Sequence, residues 1–421
     1  MMVPFSRRTF LETGATLVST ALVARQVLGQ DLTASPAKDN LDAALRGIVE
    51  RGDVPGVVAA VTDPAETVYL AAFGERGLGQ GVAMTPDTVF YLASMTKPIT
   101  ATAAMQLVEQ GELELDVPIS RWMPRAAELQ VLDGWDASGK PTLRAPKREV
   151  TLRDLLTHTS GFAYGLWDAD LARYMSEEKV PELASGEEDA FYPPLVFDPG
   201  ERWEYGISID WAGKLVEVVS GKSLGTYMQE SIFSPLDMTS TGYRITPDME
   251  ARRATTHQRE KDGTLTPTDW VNQQDPLREL GGGGLYGSAE DYLRFIRMIL
   301  NEGTENGQQV LKPETVALMS QNAMGDLRVT MLETQNPSRS LDAEFFPGLP
   351  KSWGLSFMIN EETAPTGRPA GSLAWAGIQN TFFWIDPSTG LGGVYLTQVL
   401  PFVDEKALAG FYDFETAVYR S

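Results

Sequence analysis

β-prone runs sit at both ends of this chain, and a helix-rich stretch lies between them. Near the start, Gly56–Thr62 (GVVAAVT) and Thr67–Phe73 (TVYLAAF) are parted by Asp-Pro-Ala-Glu and read as a hairpin. Thr88–Leu92 reads as a third short strand. Near the end, Gly354–Ile359, Ser372–Ala376, Thr381–Ile385 and Gly392–Gln398 follow one another through short connections such as Asp-Pro-Ser-Thr-Gly, which implies antiparallel pairing. Helical spacing marks Leu41–Glu50, stopped by Gly52, the stretch from Ser94 to Gly111, Leu152–Thr157, Trp211–Ser220, Leu224–Ile232, Ser288–Leu300 and Glu405–Tyr419. The pattern predicts an α+β fold: one antiparallel sheet flanked by helices and built from both chain ends, with an inserted, mostly helical domain. The expected boundaries are 31–115 together with 275–421 for the sheet domain and 116–274 for the helical one, within what 421 residues allow.

Charge and residue usage narrow the function. The chain carries 35 Lys+Arg against 57 Asp+Glu, a net −22, and so acidic a surface repels phosphate backbones. Nucleic acid is therefore not an expected partner. Cysteine is absent, which excludes disulfides, thiolate metal sites and a cysteine nucleophile. Histidine occurs twice, at His158 and His257, too sparsely for a His-rich metal site.

Residues 1–30 read as an address. Phe5-Ser-Arg-Arg-Thr-Phe-Leu11 precedes an uncharged stretch from Thr13 to Ala24, which resembles a Tat export signal with cleavage between Ala24 and Asp31. The run is shorter than the ~20 apolar residues that span a bilayer, so no stable membrane anchor is expected. The expected location is the periplasm or outside the cell.

Three serine patterns compete for the role of nucleophile. Gly221-Lys-Ser223-Leu-Gly225 matches G-x-S-x-G, but a helical run precedes it where that motif needs a strand. It reads as a helix–turn–helix link, with Gly221 as C-terminal cap. Ser35-Pro-Ala-Lys38 matches S-x-x-K in a polar stretch with no apolar run around it, and reads as chance. Ser94-Met-Thr-Lys97 matches S-x-x-K in a better context: TVFYLA leads in and the alanine-rich ITATAAMQLVEQ leads out. A serine at a helix start sits in the positive field of the helix dipole, which favours a developing alkoxide. Lys97 lies one turn on, on the same face, and a desolvated lysine can accept a serine proton. Pro98 is at the limit of what a first helical turn tolerates, so that turn is expected to be irregular. On spacing alone, a capping serine beside a solvated lysine is the slightly favoured reading.

Further motifs alter that balance. Leu155-Leu-Thr-His-Thr-Ser-Gly161 comes some sixty residues after Ser94, then Phe197-Asp-Pro-Gly-Glu-Arg-Trp-Glu-Tyr205, then Gly281–Gly284, then Trp375-Ala-Gly377. In that order the sequence resembles the serine β-lactamase/penicillin-binding-protein superfamily, in particular its class C β-lactamase-related branch and, within it, the family VIII carboxylesterases. The resemblance implies a β-lactamase/transpeptidase-like fold without cofactor or metal. It implies that Ser94 is acylated, that Lys97 shares protons with it, and that Tyr205, in the tyrosine position of Y-x-N, is general base and later acid. Such a phenol needs a depressed pKa, which a charged Lys97 could supply. The backbone N–H groups of Ser94 and Ile378 would form the oxyanion hole. Trp375-Ala376-Gly377 stands where β-lactamases carry K-T-G, and Ile207 stands at the asparagine of Y-x-N. Both departures remove polar anchors for an anionic lactam. Trp375, Gly377 and Ile207 would then contact an uncharged ester.

The remaining candidates have blander readings. His158 reads as the anchor of a turn, His257 as a surface loop residue, and Glu187–Asp189 as a solvated loop. Gly281–Gly284 lacks the Lys-Ser/Thr of a phosphate loop and reads as a close backbone approach beside the cleft. Trp167, Trp203 and Trp353 could line an acyl pocket or simply pack, and the long loops 162–200 and 325–350 are expected to shape it. The expectation is a serine hydrolase for short-chain carboxylic esters. Its rivals are a β-lactamase, a D-amino-acid peptidase or an acyltransferase using the same residues, and a non-catalytic penicillin-binding-like sensor. The oligomeric state is left open.

Overall fold

The structure is a computed structural model that describes Leu32 and residues 35–420; the export signal expected in residues 1–30 lies outside the described residues. The described chain opens with helix α1 (Ser35–Glu50), which begins before the Leu41–Glu50 stretch expected to be helical. The hairpin follows as β1 (Gly56–Thr62) and β2 (Thr67–Gly74). A short strand β3 (Val89–Tyr91) leads through a 3-10 turn, Ala93–Met95, into helix α2 (Thr96–Glu109). Helix α3 (Leu152–Leu156) starts at a capping box between Thr151 and Asp154, and α4 (Ser208–Ser220) ends on Gly221 at φ +70°. Strand β4 (Tyr286–Ser288) pairs with β3 and runs into α5 (Ala289–Leu300), capped by Ser288. Strands β5 (Lys351–Trp353), β6 (Met358–Asn360), β7 (Leu373–Gly377), β8 (Thr381–Asp386) and β9 (Leu391–Leu396) precede the last helix α6 (Glu405–Arg420).

One antiparallel sheet has the order β5-β6-β7-β8-β9-β1-β2, with β1 and β9 joining the chain ends through pairs such as Val58 and Leu396. Helices cover both faces. Successive strand residues point to opposite sides: Phe382 stacks on Phe411 of α6, while Phe383 meets Tyr292 of α5. Helix α1 lies against α6 and the hairpin. Helix α2 is buried from Thr96 to Leu107 and packs on α4, as expected of a helix without a polar face.

Several local expectations change on contact with tertiary structure. The apolar run Gly354–Ile359 is not one strand. The chain reverses at Gly354, where any Cβ would lie 2.2 Å from the Met319 carbonyl oxygen, and Ser356 takes φ +81°. The stretch between the sheet segments also holds a hairpin, Val131–Trp135 with Pro141–Arg144. His257 is buried, not a surface residue: it lies in a short strand, and its Nε2 accepts the Leu78 N–H at 3.1 Å. The acidic run is a cross-link, since Glu188 pairs with Lys214 and Arg278, and Asp189 with Arg125. Ser223 caps the helix after Gly221, so G-x-S-x-G here is a link between helices. The Ser35–Lys38 match occupies the first turn of α1.

A buried ion pair ties α6 to the body of the fold: Arg368 and Glu415 meet at 2.7 Å, both almost wholly buried, and Thr366 Oγ1 donates to the same carboxylate. Breaking such a pair strands one charge away from water. Glu415→Leu is expected to destabilise the protein by about 3–5 kcal/mol in urea unfolding. The double variant Arg368→Met/Glu415→Leu is expected to recover most of that loss.

Candidate active site

The site grows from the β3–α2 junction. Ala93 takes φ +48°, a conformation costly for a residue with a Cβ, typically ~1–3 kcal/mol. The reversal there turns the chain from strand into the 3-10 turn and presents Ser94 at the head of α2. Pro98 falls in the first turn of α2, directly after this irregular opening. The i,i+3 spacing then stands Lys97 beside Ser94, with Nζ donating to Ser94 Oγ at 3.1 Å.

Lys97 is wholly buried. Its Nζ also donates to the Gly282 carbonyl at 2.6 Å and lies 3.4 Å from the Tyr164 hydroxyl. Burial pushes its pKa down to about 7, against the pull of the Asp210 carboxylate. Asp210 sits in the first turn of α4, accepts the Gly282 N–H at 2.8 Å and the Tyr164 hydroxyl at 3.2 Å, and has its own pKa raised by burial. The glycine run is a close backbone approach. A Cβ on Gly282 would lie 2.5 Å from Asp210 Oδ2, and one on Gly281 would lie 2.4 Å from the Ile209 carbonyl oxygen.

Tyr205 stands on the other side of Lys97, whose Nζ lies 4.6 Å from the phenol ring centroid. The Trp375 indole donates to the Tyr205 oxygen at 3.0 Å. Thus the tryptophan in place of the K-T-G lysine holds the tyrosine. The expectation of a depressed Tyr205 pKa is not met. Burial pushes the phenol above its ordinary 10, and the contacts with Ser94 and Trp375 only partly offset this. Aromatic rings enclose Tyr205: Trp167 at 5.5 Å, Trp203 at 6.4 Å, Tyr164 at 5.5 Å and Trp375 at 4.8 Å, with Trp353 4.7 Å from Trp375. His158 anchors a turn at φ +57°, and its ring also packs 4.8 Å from that of Tyr205. Neither ring nitrogen has a partner among the described residues, and burial with the nearby Lys97 holds the imidazole neutral, well below its ordinary 6.5.

The end of β7 abuts the nucleophile turn. A Cβ on Gly377 would lie 2.4 Å from the Leu92 carbonyl oxygen and 3.2 Å from Ala93 Cβ, which sets the end of β7 against the residues just before Ser94. Ile207 is buried at the head of α4. A narrow apolar crevice of about 10 Å³, room for no more than one water, lies behind Trp375 between Trp203, Leu332, Ala343, Phe345 and Met358. The loop 325–350 supplies three of those walls. Motif reading missed Tyr164 and Asp210. The available signals were an acid in the first turn of an otherwise apolar helix, and a tyrosine three residues after L-L-T-H-T-S-G. Among the described residues no cluster of three acidic or histidine side chains could hold a metal ion.

The profile of the Beta-lactamase family matches residues 41–417. The chain belongs to the Beta-lactamase family. Within this family the chain is similar to Monacolin J acid methylbutanoyltransferase of Aspergillus terreus, at 33% identity over 93% of this chain and 98% of that one. It is 32% identical to Lovastatin esterase of Penicillium rubens, over 90% and 98%. Among solved structures it is similar to unliganded Simvastatin Synthase (LovD) from Aspergillus terreus, with a TM-score of 0.81 and 31% identity, covering 92% of this chain and 98% of that one. The fold is therefore the β-lactamase-like one, and the chain is an enzyme of the serine β-lactamase-like superfamily, whose relatives here are esterases and acyltransferases.

An imidazole kept neutral by burial makes folding sensitive to acid. Below about 6.5 the unfolded chain binds a proton that the folded state refuses, so stability falls as pH drops through that value. His257 is shifted in the same direction. His158→Phe is expected to flatten the fall of Tm between pH 6.5 and 4.5, and an unchanged slope would count against a neutral, buried His158.

Proposed function

We propose that this protein is a serine carboxylesterase that forms an acyl-enzyme on Ser94. The observation that carries this reading is the 3.1 Å contact between Ser94 Oγ and a wholly buried Lys97 whose pKa is pushed down to about 7. A neutral amine at that position is a base within reach of the hydroxyl. Lys97 takes the Ser94 proton as Oγ attacks the ester carbonyl. The N–H groups of Ser94 and Ile378 receive the oxyanion.

Tyr205, kept protonated by burial, serves first as acid. It gives its proton to the leaving alcohol oxygen and recovers one from the Lys97 ammonium, while the Trp375 indole steadies the transient phenolate. This order reverses the first role that the family resemblance implies for Tyr205, and it follows from the two pKa directions. Tyr164 and Asp210 hold Lys97 in place. The aromatic walls beside Tyr205 and Trp375 support a short, uncharged acyl chain. The tryptophan and Ile207 in place of two polar anchors support an ester over an anionic lactam and support the family VIII reading.

The acyl group then passes to water or to an alcohol. Transfer to an alcohol is the second reading, supported by the methylbutanoyltransferase relative and by the aromatic enclosure of Tyr205. Export to the periplasm or beyond completes the proposal and rests on the twin-arginine start alone.

Hydrolysis of p-nitrophenyl butyrate tests the reading, and Ser94→Ala is expected to abolish it. Lys97→Ala and Tyr205→Phe are each expected to cost on the order of a hundredfold or more in kcat. Since the base must be neutral, kcat/KM is expected to rise with pH through about 7 and then level off. Glu204, pushed up to about 7 by burial and by Asp168, titrates in the same range. The limb is expected to survive in Glu204→Gln and to vanish in Lys97→Ala. Activity undiminished in Ser94→Ala would end the proposal. A butyrate ester of an added primary alcohol, seen by mass spectrometry, would identify transfer.

A further inference from the structure

Strand β3, which leads into the nucleophile turn, has two edges. One pairs with β4, and just past its end the Leu92 N–H donates to the Leu285 carbonyl at 2.9 Å. The Tyr91 N–H and carbonyl are bonded on the other edge, by a side chain. Gln398 Oε1 accepts the Tyr91 N–H at 3.1 Å, and Gln398 Nε2 donates to the Tyr91 carbonyl at 3.2 Å. A glutamine amide carries a donor and an acceptor as a peptide group does, so it closes this edge as a further strand would. Gln398 is almost wholly buried, and its Nε2 also donates to the Thr397 carbonyl at 2.9 Å. Tyr91 stands three residues before Ser94, and only Leu92 and the reversal at Ala93 lie between them.

The next residue grips the opposite wall of the site. The Val399 N–H donates to the Gln379 carbonyl at 3.1 Å, and the Val399 carbonyl accepts the Asn380 side-chain amide at 2.8 Å. Gln379 and Asn380 belong to the turn between β7 and β8, which closes through the Asn380 N–H on the Gly377 carbonyl at 2.9 Å. Ile378 lies inside that turn. Asn380 Nδ2 donates to the Pro401 carbonyl as well, at 2.7 Å, and the His257 N–H holds the Gln398 carbonyl at 2.8 Å. Two consecutive residues thus hold two distant segments. The Gln398 side chain holds the approach to Ser94, and the Val399 backbone holds the turn that contains Ile378.

We propose that Gln398 is a positioning residue that sets the gap between the two N–H donors of the oxyanion hole, on Ser94 and Ile378. This rests on the acyl-enzyme reading above. Such a hole works only when both donors are held to within about 0.5 Å of the productive geometry. Gly377 lets the end of β7 approach Leu92 closely, but packing alone resists compression and not separation. The paired bonds of Gln398 resist separation. Without them the Tyr91 N–H and carbonyl lose their partners, and the end of β3 shifts to regain others. Ser94 moves with it, while Ile378 stays with the Val399 clamp.

The test compares p-nitrophenyl butyrate with p-nitrophenyl thionobutyrate, in which sulfur replaces the carbonyl oxygen. Sulfur is larger and a weaker hydrogen-bond acceptor, so a well-set hole favours the oxygen ester. The ratio of the two kcat/KM values cancels any loss of folded protein. Gln398→Met keeps the length of the side chain and removes both bonds. It is expected to lower kcat for the oxygen ester about tenfold or more with KM little changed, and to lower the oxygen preference by the same order. Gln398→Glu offers both a donor and an acceptor only when protonated, so its preference is expected to return towards the parent value as pH falls. Glu415→Leu, destabilised through α6, is expected to keep the parent ratio. A ratio in Gln398→Met equal to that of the parent overturns the proposal and leaves the acyl-enzyme reading standing, even if activity falls along with the folded fraction. Hydrolysis undiminished in Ser94→Ala overturns both.

Discussion

An amine stripped of water governs the centre of this protein. Lys97 lies inside a helix buried on all sides, and the cost of keeping an ammonium there lowers its pKa to about 7. The surroundings hold that balance without tipping it. The Gly282 carbonyl accepts from Nζ, and Asp210 supplies enough field to keep the group from being permanently neutral. Asp210 is in turn fixed by the Gly282 N–H and by Tyr164. Each of these partners is at a distance that only glycine at 281 and 282 permits. The glycine run, the acid of α4 and the lysine of α2 therefore form one device.

The second half of the site is aromatic, where β-lactamase-like relatives can carry charge. With tryptophan at 375, the group that touches Tyr205 is a neutral donor, and the rings of Trp167, Trp203, Trp353 and His158 complete a water-poor shell. Such a shell raises the phenol pKa and leaves Lys97 as the group able to accept a proton near neutrality. It also leaves several buried donors without partners among the described residues, the Trp203 and Trp353 indoles among them. Burying unpaired polar atoms costs stability, a pattern typical of sites built for chemistry.

Much of this was legible before any coordinates. Ser94 and Lys97 stand out because a strand-like run precedes them and an alanine-rich helix follows. The same S-x-x-K at Ser35 lacks that frame. The glycine run was readable because nothing after it could hold a phosphate. What was not legible arises from contacts distant in sequence. Asp210 reaches Lys97 only because α4 packs on α2, and Tyr164 comes in from the loop after α3. Apolar spacing shows Gly354–Ile359 as a strand, and only the Met319 carbonyl forces the turn. His257 looks like a loop histidine until the Leu78 N–H finds it. The direction of the Tyr205 pKa follows from burial, which no local pattern reveals.

The sheet pairs Val58 with Leu396, so two of its neighbouring strands, β1 and β9, come from opposite ends of the chain. On a ribosome, the serine, its lysine and the first hairpin emerge long before β7–β9 exist. Until those last strands arrive, the hairpin has an open edge and the Ile378 side of the site is missing. The unfinished polypeptide must therefore wait, unreactive and aggregation-exposed, for its final stretch to close the longest loop in the fold, a step that belongs to the slow end of folding kinetics.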